Sequence, residues 1–379
     1  MNQESPGLMR EVEILLRRSP EPFRAPEQVL AFETDLAHVF GAKEAIAVSS
    51  GTAALHCALA ALDIGPGDQV LVPAMSVVMS VAPVLYQNAT PIFVDSEPGR
   101  VDFDYTDMEG KLSSKVRAVL PVHMWGCSYD MSRLIEFAHK HGLAVVEDAC
   151  QAHGSRWGSK YLGTWGDLGC FSMKDGKLLS TGEGGFVLTD CSNLAQRCRA
   201  FRSHWIGVQN PELSYARPGC NYRLTELQAL LARWQINRFD EILHHRRYQT
   251  EYILEGVAEL PQLEPYRYGD IEEPNYFCPV LLLRDEFATR RIAEELWEQG
   301  VANSVGTFGL RPVQERLSVQ ELAGIGQNIQ GGNKAAMLAT VNTAHFLNRI
   351  LALLLLPHYS ESELDAIIQK VEAVLRDKG

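Results

Sequence analysis

Several common signatures are missing from this 379-residue chain. Its eight cysteines contain no CxxC pair, and its histidines lack metal-ligand spacing, so we expect no zinc or other metal site. The longest uninterrupted apolar run, Ile350 to Leu356, is far shorter than the roughly 20 residues that span a bilayer. No signal-peptide pattern is evident. We therefore expect a cytoplasmic protein with reduced cysteines and no membrane segment.

Positive charge is also scarce. The chain has 35 Lys and Arg residues against 47 Asp and Glu residues, which gives a formal net charge of −12. Such a surface repels phosphate backbones and anionic lipid, so a general role in binding nucleic acid or membranes is excluded. The sequence contains neither a Walker lysine motif nor GxGxxG. It therefore lacks two widespread patterns for binding nucleotide phosphates.

The arrangement of apolar segments indicates a two-domain α/β protein. A chain of 379 residues exceeds the size that one core usually supports. Over the first two thirds, short apolar runs such as Val70–Val72 and Pro91–Asp95 alternate with helical stretches, as in a doubly wound α/β layer. We expect a large domain over residues 1–240 and a smaller C-terminal α/β domain over residues 241–379, with a long connecting helix through Arg246.

The segment from Ala45 to His56 predicts a strand, a tight turn and a helix. The unpaired N–H groups of the first helical turn fall at Gly51, Thr52 and Ala53, beside small hydroxyl side chains. Such a turn suits a phosphate dianion. The simpler alternative is that Ser50 is an ordinary N-cap. This segment alone leaves both interpretations open.

The segment from Leu143 to Gly154 predicts a buried parallel strand that ends in two acids, Glu147 and Asp148. Open α/β sheets bind ligands at this end of their strands. A carboxylate there can keep a pyridine nitrogen protonated and so make the ring a strong electron sink. Strand alternation sends the two acids to opposite faces. The alternative role for Asp148 is to cap a following helix.

Lys177 lies between the strand-like segment Cys170–Met173 and the glycine-rich segment Gly182–Gly185. A lysine in this position can hold an aldehyde cofactor as a Schiff base, because glycines let the backbone pass close to a bound ring. The simpler interpretation is a solvated surface lysine, as for its neighbour Lys174.

A fourth segment begins at Gly219. Thr225 and Gln228 form a capping box, which starts a helix. Apolar residues then recur at helical spacing and place the helix in the core or at an interface; they are Leu224, Leu227, Leu231 and Trp234. Asn221 and Arg223 lie just before this helix, where polar residues can reach a ligand or a partner subunit or can simply be solvated.

Taken together and in this order, these segments resemble the DegT/StrS family of sugar aminotransferases, which are pyridoxal-phosphate (PLP) enzymes of fold type I. The resemblance covers nearly the whole chain and is most specific at residues 49–56, 147–154, 177–185 and 221–228. It implies a large domain with a mostly parallel sheet flanked by helices, and a homodimer with shared active sites. The implied activity is transfer of an amino group from glutamate or glutamine to a keto sugar, most often nucleotide-linked, in amino-sugar biosynthesis.

The resemblance also implies roles for individual residues. Lys177 becomes the lysine that holds pyridoxal 5'-phosphate, Asp148 the partner of its pyridinium nitrogen, and Gln151 a neighbour of its ring hydroxyl. The implied contacts of the cofactor phosphate are Gly51, Thr52, Ser172 and, from across a dimer interface, Asn221.

Substrate contacts are less strongly indicated by the sequence. His123 follows an apolar run at a strand end, so it faces the substrate or is simply packed. Arg223 can bind an acidic group by bidentate contact, or it is a solvated loop residue. Glu183, within the glycine-rich segment, is the third candidate.

One departure from the family pattern concerns the cofactor ring. Val77 stands where family members usually have an aromatic residue that stacks on it, and loss of that stack weakens cofactor binding by about 1 kcal/mol. The segment 308–330 also matches the family's substrate-side pattern poorly. The sequence therefore leaves the acceptor of the amino group undetermined. A keto cyclitol is an alternative to a nucleotide-linked keto sugar.

Two other functions remain as alternatives. A pyridoxamine-dependent sugar dehydratase would carry histidine at the position of Lys177, so the lysine counts against it. A non-catalytic regulatory protein that only binds PLP is favoured by Val77 alone.

Overall fold

The computed structural model describes residues 5–17, 26–204, 218–269, 271, 273–284, 289–304, 311–318 and 339–376. Most of the poorly matching segment 308–330 lies outside these ranges.

The described chain contains short strands throughout. In chain order they are β1 (Glu44–Val48), β2 (Gln69–Pro73), β3 (Thr90–Val94), β4 (Val116–Val119), β5 (Ala144–Asp148), β6 (Arg156–Trp157), β7 (Lys160–Tyr161), β8 (Leu168–Ser172), β9 (Gly185–Thr189), β10 (Leu263–Glu264), β11 (Val280–Leu283) and β12 (Ile350–Ala352).

α-Helices precede, connect and follow many of these strands. In chain order they are α1 (Ser5–Arg17), α2 (Glu27–Phe40), α3 (Gly51–Ala61), α4 (Val78–Tyr86), α5 (Tyr105–Gly110), α6 (Met131–His141), α7 (Ser192–Arg202), α8 (Glu226–Ile236), α9 (Phe239–Val257), α10 (Thr289–Glu298), α11 (Val341–Leu347) and α12 (Glu361–Arg376). The capping box at Thr225 and Gln228 is confirmed at the start of α8. The connecting helix is α9, and it continues well past Arg246.

The central sheet has seven strands in the spatial order β1-β9-β8-β5-β4-β2-β3. Only β9 runs antiparallel to its neighbours, β1 and β8, while the other adjacent pairs are parallel. The expected mostly parallel α/β sheet is therefore confirmed. Asp148 on β5 lies opposite Cys170 on β8, so the carboxyl ends of these two strands meet at one edge of the sheet.

Buried apolar side chains form two clusters. The larger surrounds the seven-stranded sheet and includes Phe32, Phe171 and Phe186. The smaller lies among α9, α10, α12 and the antiparallel sheet β10-β11-β12, and it includes Ile253 and Val371. The larger cluster also contains residues from beyond position 240, such as Phe346. The C-terminal part of the chain therefore packs against the core around the seven-stranded sheet. The division of the chain at residue 240 stays a prediction.

Within the described ranges, no helix is both long enough and apolar enough to cross a membrane. The same residues contain no cluster of three or more His, Cys, Asp or Glu side chains that could hold a metal ion.

Candidate active site

A cavity of about 580 Å³ opens at the carboxyl ends of β5 and β8, beside the start of α3. This volume lies within the usual range for small-molecule sites. Nine of the eleven residues singled out from the sequence line it, namely Gly51, Thr52, Val77, His123, Asp148, Gln151, Ser172, Lys177 and Glu183. Asn221 and Arg223 are exposed and do not line it.

The start of α3 forms one end of the cavity. The Ser50 hydroxyl accepts a hydrogen bond from the Ala53 N–H at 3.0 Å, so Ser50 is indeed an N-cap. Capping does not exclude the anion-site interpretation. Gly51 and Thr52 occupy the first helical turn, where N–H groups lack an intrahelical acceptor, and both residues line the cavity.

Gly51 also allows α3 to begin very close to the sheet. A Cβ atom at this position would lie 2.7 Å from Sγ of Cys150 and 2.8 Å from Cβ of Ser172. Such distances are too short for a side chain, so only glycine lets the helix start directly against the end of β8. This packing places Ser172 beside the first turn of α3, and both line the cavity.

Asp148 ends β5 and is 5% exposed. Its Oδ2 accepts a hydrogen bond from the Ser80 hydroxyl at 2.6 Å, and its Oδ1 accepts one from the Cys150 N–H at 3.1 Å. A turn rather than a helix follows, so the helix-capping alternative is wrong. The carboxylate therefore borders the cavity, and the described residues supply only one hydrogen bond to each of its oxygens.

Glu147 points to the other face of the sheet, as strand alternation predicts. It is fully buried, and its oxygens accept hydrogen bonds from the N–H groups of Gly163, Trp165 and Gly166 at 2.7 to 2.8 Å. Nε2 of His123 lies 3.0 Å from Oε2 of Glu147. Glu147 thus holds a loop in place and faces away from the cavity.

His123 borders the cavity, but its ring nitrogens are directed at protein groups. Besides the contact with Glu147, its Nδ1 lies 3.2 Å from the backbone oxygen of Cys127. The imidazole has no exposed surface. This is the packed arrangement rather than one in which the ring nitrogens reach a substrate.

Gln151 is held in one orientation by its surroundings. Its Oε1 accepts a hydrogen bond from the Trp125 N–H at 2.7 Å, and because an N–H only donates, the amide oxygen must face Trp125. Trp125 adopts a φ of 55°, which is rare for a bulky residue. The Nε2 group of Gln151 is left as a hydrogen-bond donor in a residue that lines the cavity.

Lys177 lies partly buried on the wall of the cavity. Burial lowers the pKa of its amine, while the nearby Cys150 and Asp148 partly oppose this shift. A lower pKa increases the fraction of neutral amine, which is the form that attacks an aldehyde. Its Nζ lies 5.0 Å from the ring centroid of Phe277, which also lines the cavity.

The segment before α8 lies at the surface. Asn221 forms an isolated β-bridge with Ser203, and Arg223 forms one with Val48. Of the apolar positions predicted for this helix, Leu224 is buried just before α8, Leu231 and Trp234 are partly buried, and Leu227 is 39% exposed. The buried face of this helix is formed instead by other residues, which are Ala229, Leu230, Ala232 and Ile236.

Three parts of the site were missed in the sequence. Ser80 follows Val77 by three positions, and its bond to Asp148 depends on how α4 packs against β5. Phe277 precedes β11 and lies far from the other site residues in sequence. Leu354–Leu356 also line the cavity; their apolar run is visible in the sequence, but apolar character alone does not place it on the cavity wall.

A mostly parallel α/β layer of this kind is the fold of the PLP-dependent sugar aminotransferases. Residues 20–372 match the DegT/DnrJ/EryC1/StrS aminotransferase family, and the chain belongs to that family. Aminotransferases of this family use pyridoxal 5'-phosphate.

Individual relatives are similar over different lengths. GDP-perosamine synthase of Caulobacter vibrioides is 37% identical over 234 residues, which cover 61% of this chain and 62% of that protein. The chain therefore spans less than two thirds of that relative. UDP-N-acetyl-3-dehydro-alpha-D-glucosamine 3-aminotransferase of Acidithiobacillus ferrooxidans is 37% identical over 279 residues, 73% of each chain.

Two solved structures are similar to this chain over nearly its full length. DesV of S. venezuelae superposes with a TM-score of 0.81 at 28% identity and covers 98% of this chain and 94% of its own. An aminotransferase of Psychrobacter cryohalolentis gives a TM-score of 0.82 at 25% identity, with 100% and 98% coverage.

Proposed function

We propose that this protein is a PLP-dependent aminotransferase that moves an amino group from glutamate or glutamine to a nucleotide-linked keto sugar. The observation that carries the proposal is the convergence of Lys177, Asp148 and the first turn of α3 on one cavity. Family membership supports the reaction class. The names of two relatives, which refer to GDP- and UDP-linked sugars, support the substrate class.

The polar groups that line the cavity fit the chemical groups of pyridoxal 5'-phosphate. Lys177 offers an amine of lowered pKa to its aldehyde, and Asp148, with one hydrogen bond on each oxygen from the described residues, can accept its ring N–H. The Nε2 of Gln151 offers a donor to its ring hydroxyl oxygen. A phosphate dianion matches the donors at the other end of the cavity, which are the amides of Gly51 and Thr52 and the hydroxyl of Ser172.

When bound, the cofactor supplies a protonated, electron-withdrawing ring that stabilises negative charge on the carbon losing its proton. The amine of Lys177 removes and returns that proton, and burial lowers its pKa, which favours the neutral form that acts as a base. Asp148 holds the proton on the ring nitrogen throughout. Val122, Phe277 and Leu354–Leu356 give the cavity apolar walls that exclude water from this exchange.

We also infer a cytoplasmic homodimer with shared active sites. Asn221 and Arg223 are exposed and outside their own chain's cavity, which is where residues that serve a partner's site would lie. Met79 on the cavity wall and Leu227 on α8 present exposed apolar surface that a second copy would cover. All eight cysteines are unpaired, in keeping with a reducing compartment.

The role of Lys177 is tested by covalent trapping. After loading with PLP and reduction with borohydride, we expect the peptide that contains Lys177 to gain the mass of the reduced cofactor. Lys177→Ala should lose this mass shift and all transamination. Lys140→Ala, which removes an exposed lysine, serves as the matched control. Trapping at another lysine, or turnover without Lys177, would contradict the proposal.

The substrate class is tested separately. The protein is converted to its pyridoxamine phosphate form with glutamate or glutamine and then offered GDP-, UDP- and dTDP-linked keto sugars and a keto cyclitol. Return of the PLP absorbance with a nucleotide sugar supports the proposal. A response to the cyclitol alone overturns the substrate class, a deoxygenated product indicates a dehydratase, and failure to convert with either donor indicates a regulatory protein.

A further inference from the structure

We propose that Ser80 is a positioning residue that holds the Asp148 carboxylate in place for the cofactor's ring nitrogen. The inference rests on the proposed function, because it assigns Ser80 a role in PLP binding. It concerns a residue that none of the sequence motifs includes.

The geometry begins with a short, fully buried hydrogen bond. The Ser80 hydroxyl lies 2.6 Å from Oδ2 of Asp148, and Ser80 itself has no exposed surface. A carboxylate only accepts, so the hydroxyl must donate. Hydrogen bonds to an ionised group are shorter and stronger than neutral ones. Because no water reaches this hydroxyl, Asp148 is the acceptor that satisfies it.

The two donors to Asp148 fix its side chain from opposite sides. Ser80 binds Oδ2 from helix α4, and the Cys150 N–H binds Oδ1 from the turn after β5. A carboxylate with one hydrogen-bond donor on each oxygen cannot rotate about its Cβ–Cγ bond without breaking both hydrogen bonds. Among the described residues, this leaves each oxygen one lone pair without a donor. Ser80 therefore fixes the direction in which Asp148 can accept the ring N–H.

The same helical turn connects this role to Val77. Val77 is the N-cap of α4, and its backbone oxygen accepts the Ser80 N–H at 3.0 Å. One turn of helix thus presents Val77 to the cavity and Ser80 to Asp148. Since valine provides no aromatic stack, contacts at the edge of the ring contribute a larger share of cofactor binding here.

The test compares Ser80→Ala with wild type for two cofactors, PLP and 1-deaza-PLP, in which carbon replaces the ring nitrogen. Dissociation constants are measured by fluorescence or absorbance titration of the full-length apo protein. We expect Ser80→Ala to bind PLP about tenfold more weakly than wild type. With the deaza compound the two proteins should bind alike, because no ring N–H remains for Asp148 to accept.

Two further variants separate positioning from folding. Ser76→Ala is the matched control, because Ser76 is also buried in this segment but donates to the backbone oxygen of Pro73 at 2.8 Å; it should bind PLP as wild type does. Ser80→Thr, which keeps the hydroxyl, should recover affinity. If Ser80→Ala does not fold, Ser80→Cys, a weaker donor of similar size, replaces it.

The outcomes are distinct. Equal losses of affinity for PLP and 1-deaza-PLP, or an unchanged affinity for both, would overturn the role of Ser80. Failure of the wild-type protein to bind PLP at Lys177 would instead overturn the proposed function, and the trapping experiment detects that case separately.

Discussion

Two neighbouring carboxylates at the end of β5 have opposite surroundings. Glu147 accepts four hydrogen bonds, two on each oxygen, which uses the accepting capacity of a carboxylate completely. Asp148 accepts two from the residues that the structure describes, one on each oxygen, and borders the cavity. The number of donors that the protein itself supplies therefore separates a structural acid from one that is available to a ligand.

The packing on each side explains the difference. On the Glu147 side, a loop lies so close to the sheet that a Cβ on Gly169 would be 1.8 Å from the Gly163 oxygen. Gly169 is the register partner of Glu147, so the loop's N–H groups reach that carboxylate directly. On the Asp148 side, helix α4 supplies one hydroxyl through Ser80 and leaves room for a cavity.

The largest expected effects come from neutralising each acid in turn. Asp148→Asn should lower turnover about a hundredfold or more and change the unfolding free energy by only about 1 kcal/mol. Glu147→Gln should lower the unfolding free energy by about 3 kcal/mol, because it places an amide donor among four donors. Steady-state kinetics and urea unfolding of both variants measure the two effects.

Each variant is the other's matched control, since both replace one carboxylate by an amide at adjacent positions. The comparison breaks down if both variants lose stability equally, or if Glu147→Gln loses as much turnover as Asp148→Asn at a temperature where both are folded.

Residues that are close together in the sequence determine many of these features. The apolar run before Glu147 predicted β5, and alternation predicted that the two acids face opposite sides. The capping residues Ser50 and Thr225 predicted where α3 and α8 begin. Such features depend on residues within a few positions of each other, so they can be derived without knowing the fold.

Other features depend on packing between distant segments. The sequence does not show that Ser80 donates to Asp148, or that Phe277 lies beside Lys177, because each contact requires the relative placement of separate elements. The sequence leaves a packed and a substrate-facing His123 both open for the same reason. Its partner Glu147 is 24 positions away, so their contact depends on how the two segments are placed in the fold.

A buried histidine, His153, belongs with Glu147 among the groups that face away from the cavity. His153 packs against Phe171 and Phe186, with ring centroids 5.2 and 5.9 Å away, and burial lowers its pKa from 6.5 to about 3. Below pH 6.5 the unfolded chain binds a proton that the folded protein does not. Stability should therefore fall as the pH drops from 6.5 toward 3, and His153 should have no such effect above pH 6.5.

Replacing this histidine isolates its contribution. Between pH 6.5 and 5, wild type should lose about 2 kcal/mol of unfolding free energy that His153→Phe does not lose. Affinity for PLP should stay the same, because the residue does not line the cavity. Urea unfolding at several pH values measures the difference. If wild type and His153→Phe lose unfolding free energy equally as the pH falls, the predicted role of His153 is wrong. It is also wrong if the substitution changes the affinity for PLP.

The smallest expected effect concerns Val77 on the cavity side. Val77→Phe adds an aromatic ring at a position that lines the cavity, so we expect PLP to bind more tightly by about 1 kcal/mol, or roughly fivefold. Stability should hardly change. Val77→Leu is the control, because it adds apolar volume without a π-system. Equal gains in PLP affinity for Leu and Phe would assign the effect to apolar contact alone. A loss of affinity with Phe would mean that the start of α4 is packed for valine. Cofactor affinity would then depend on Asp148 and the phosphate contacts.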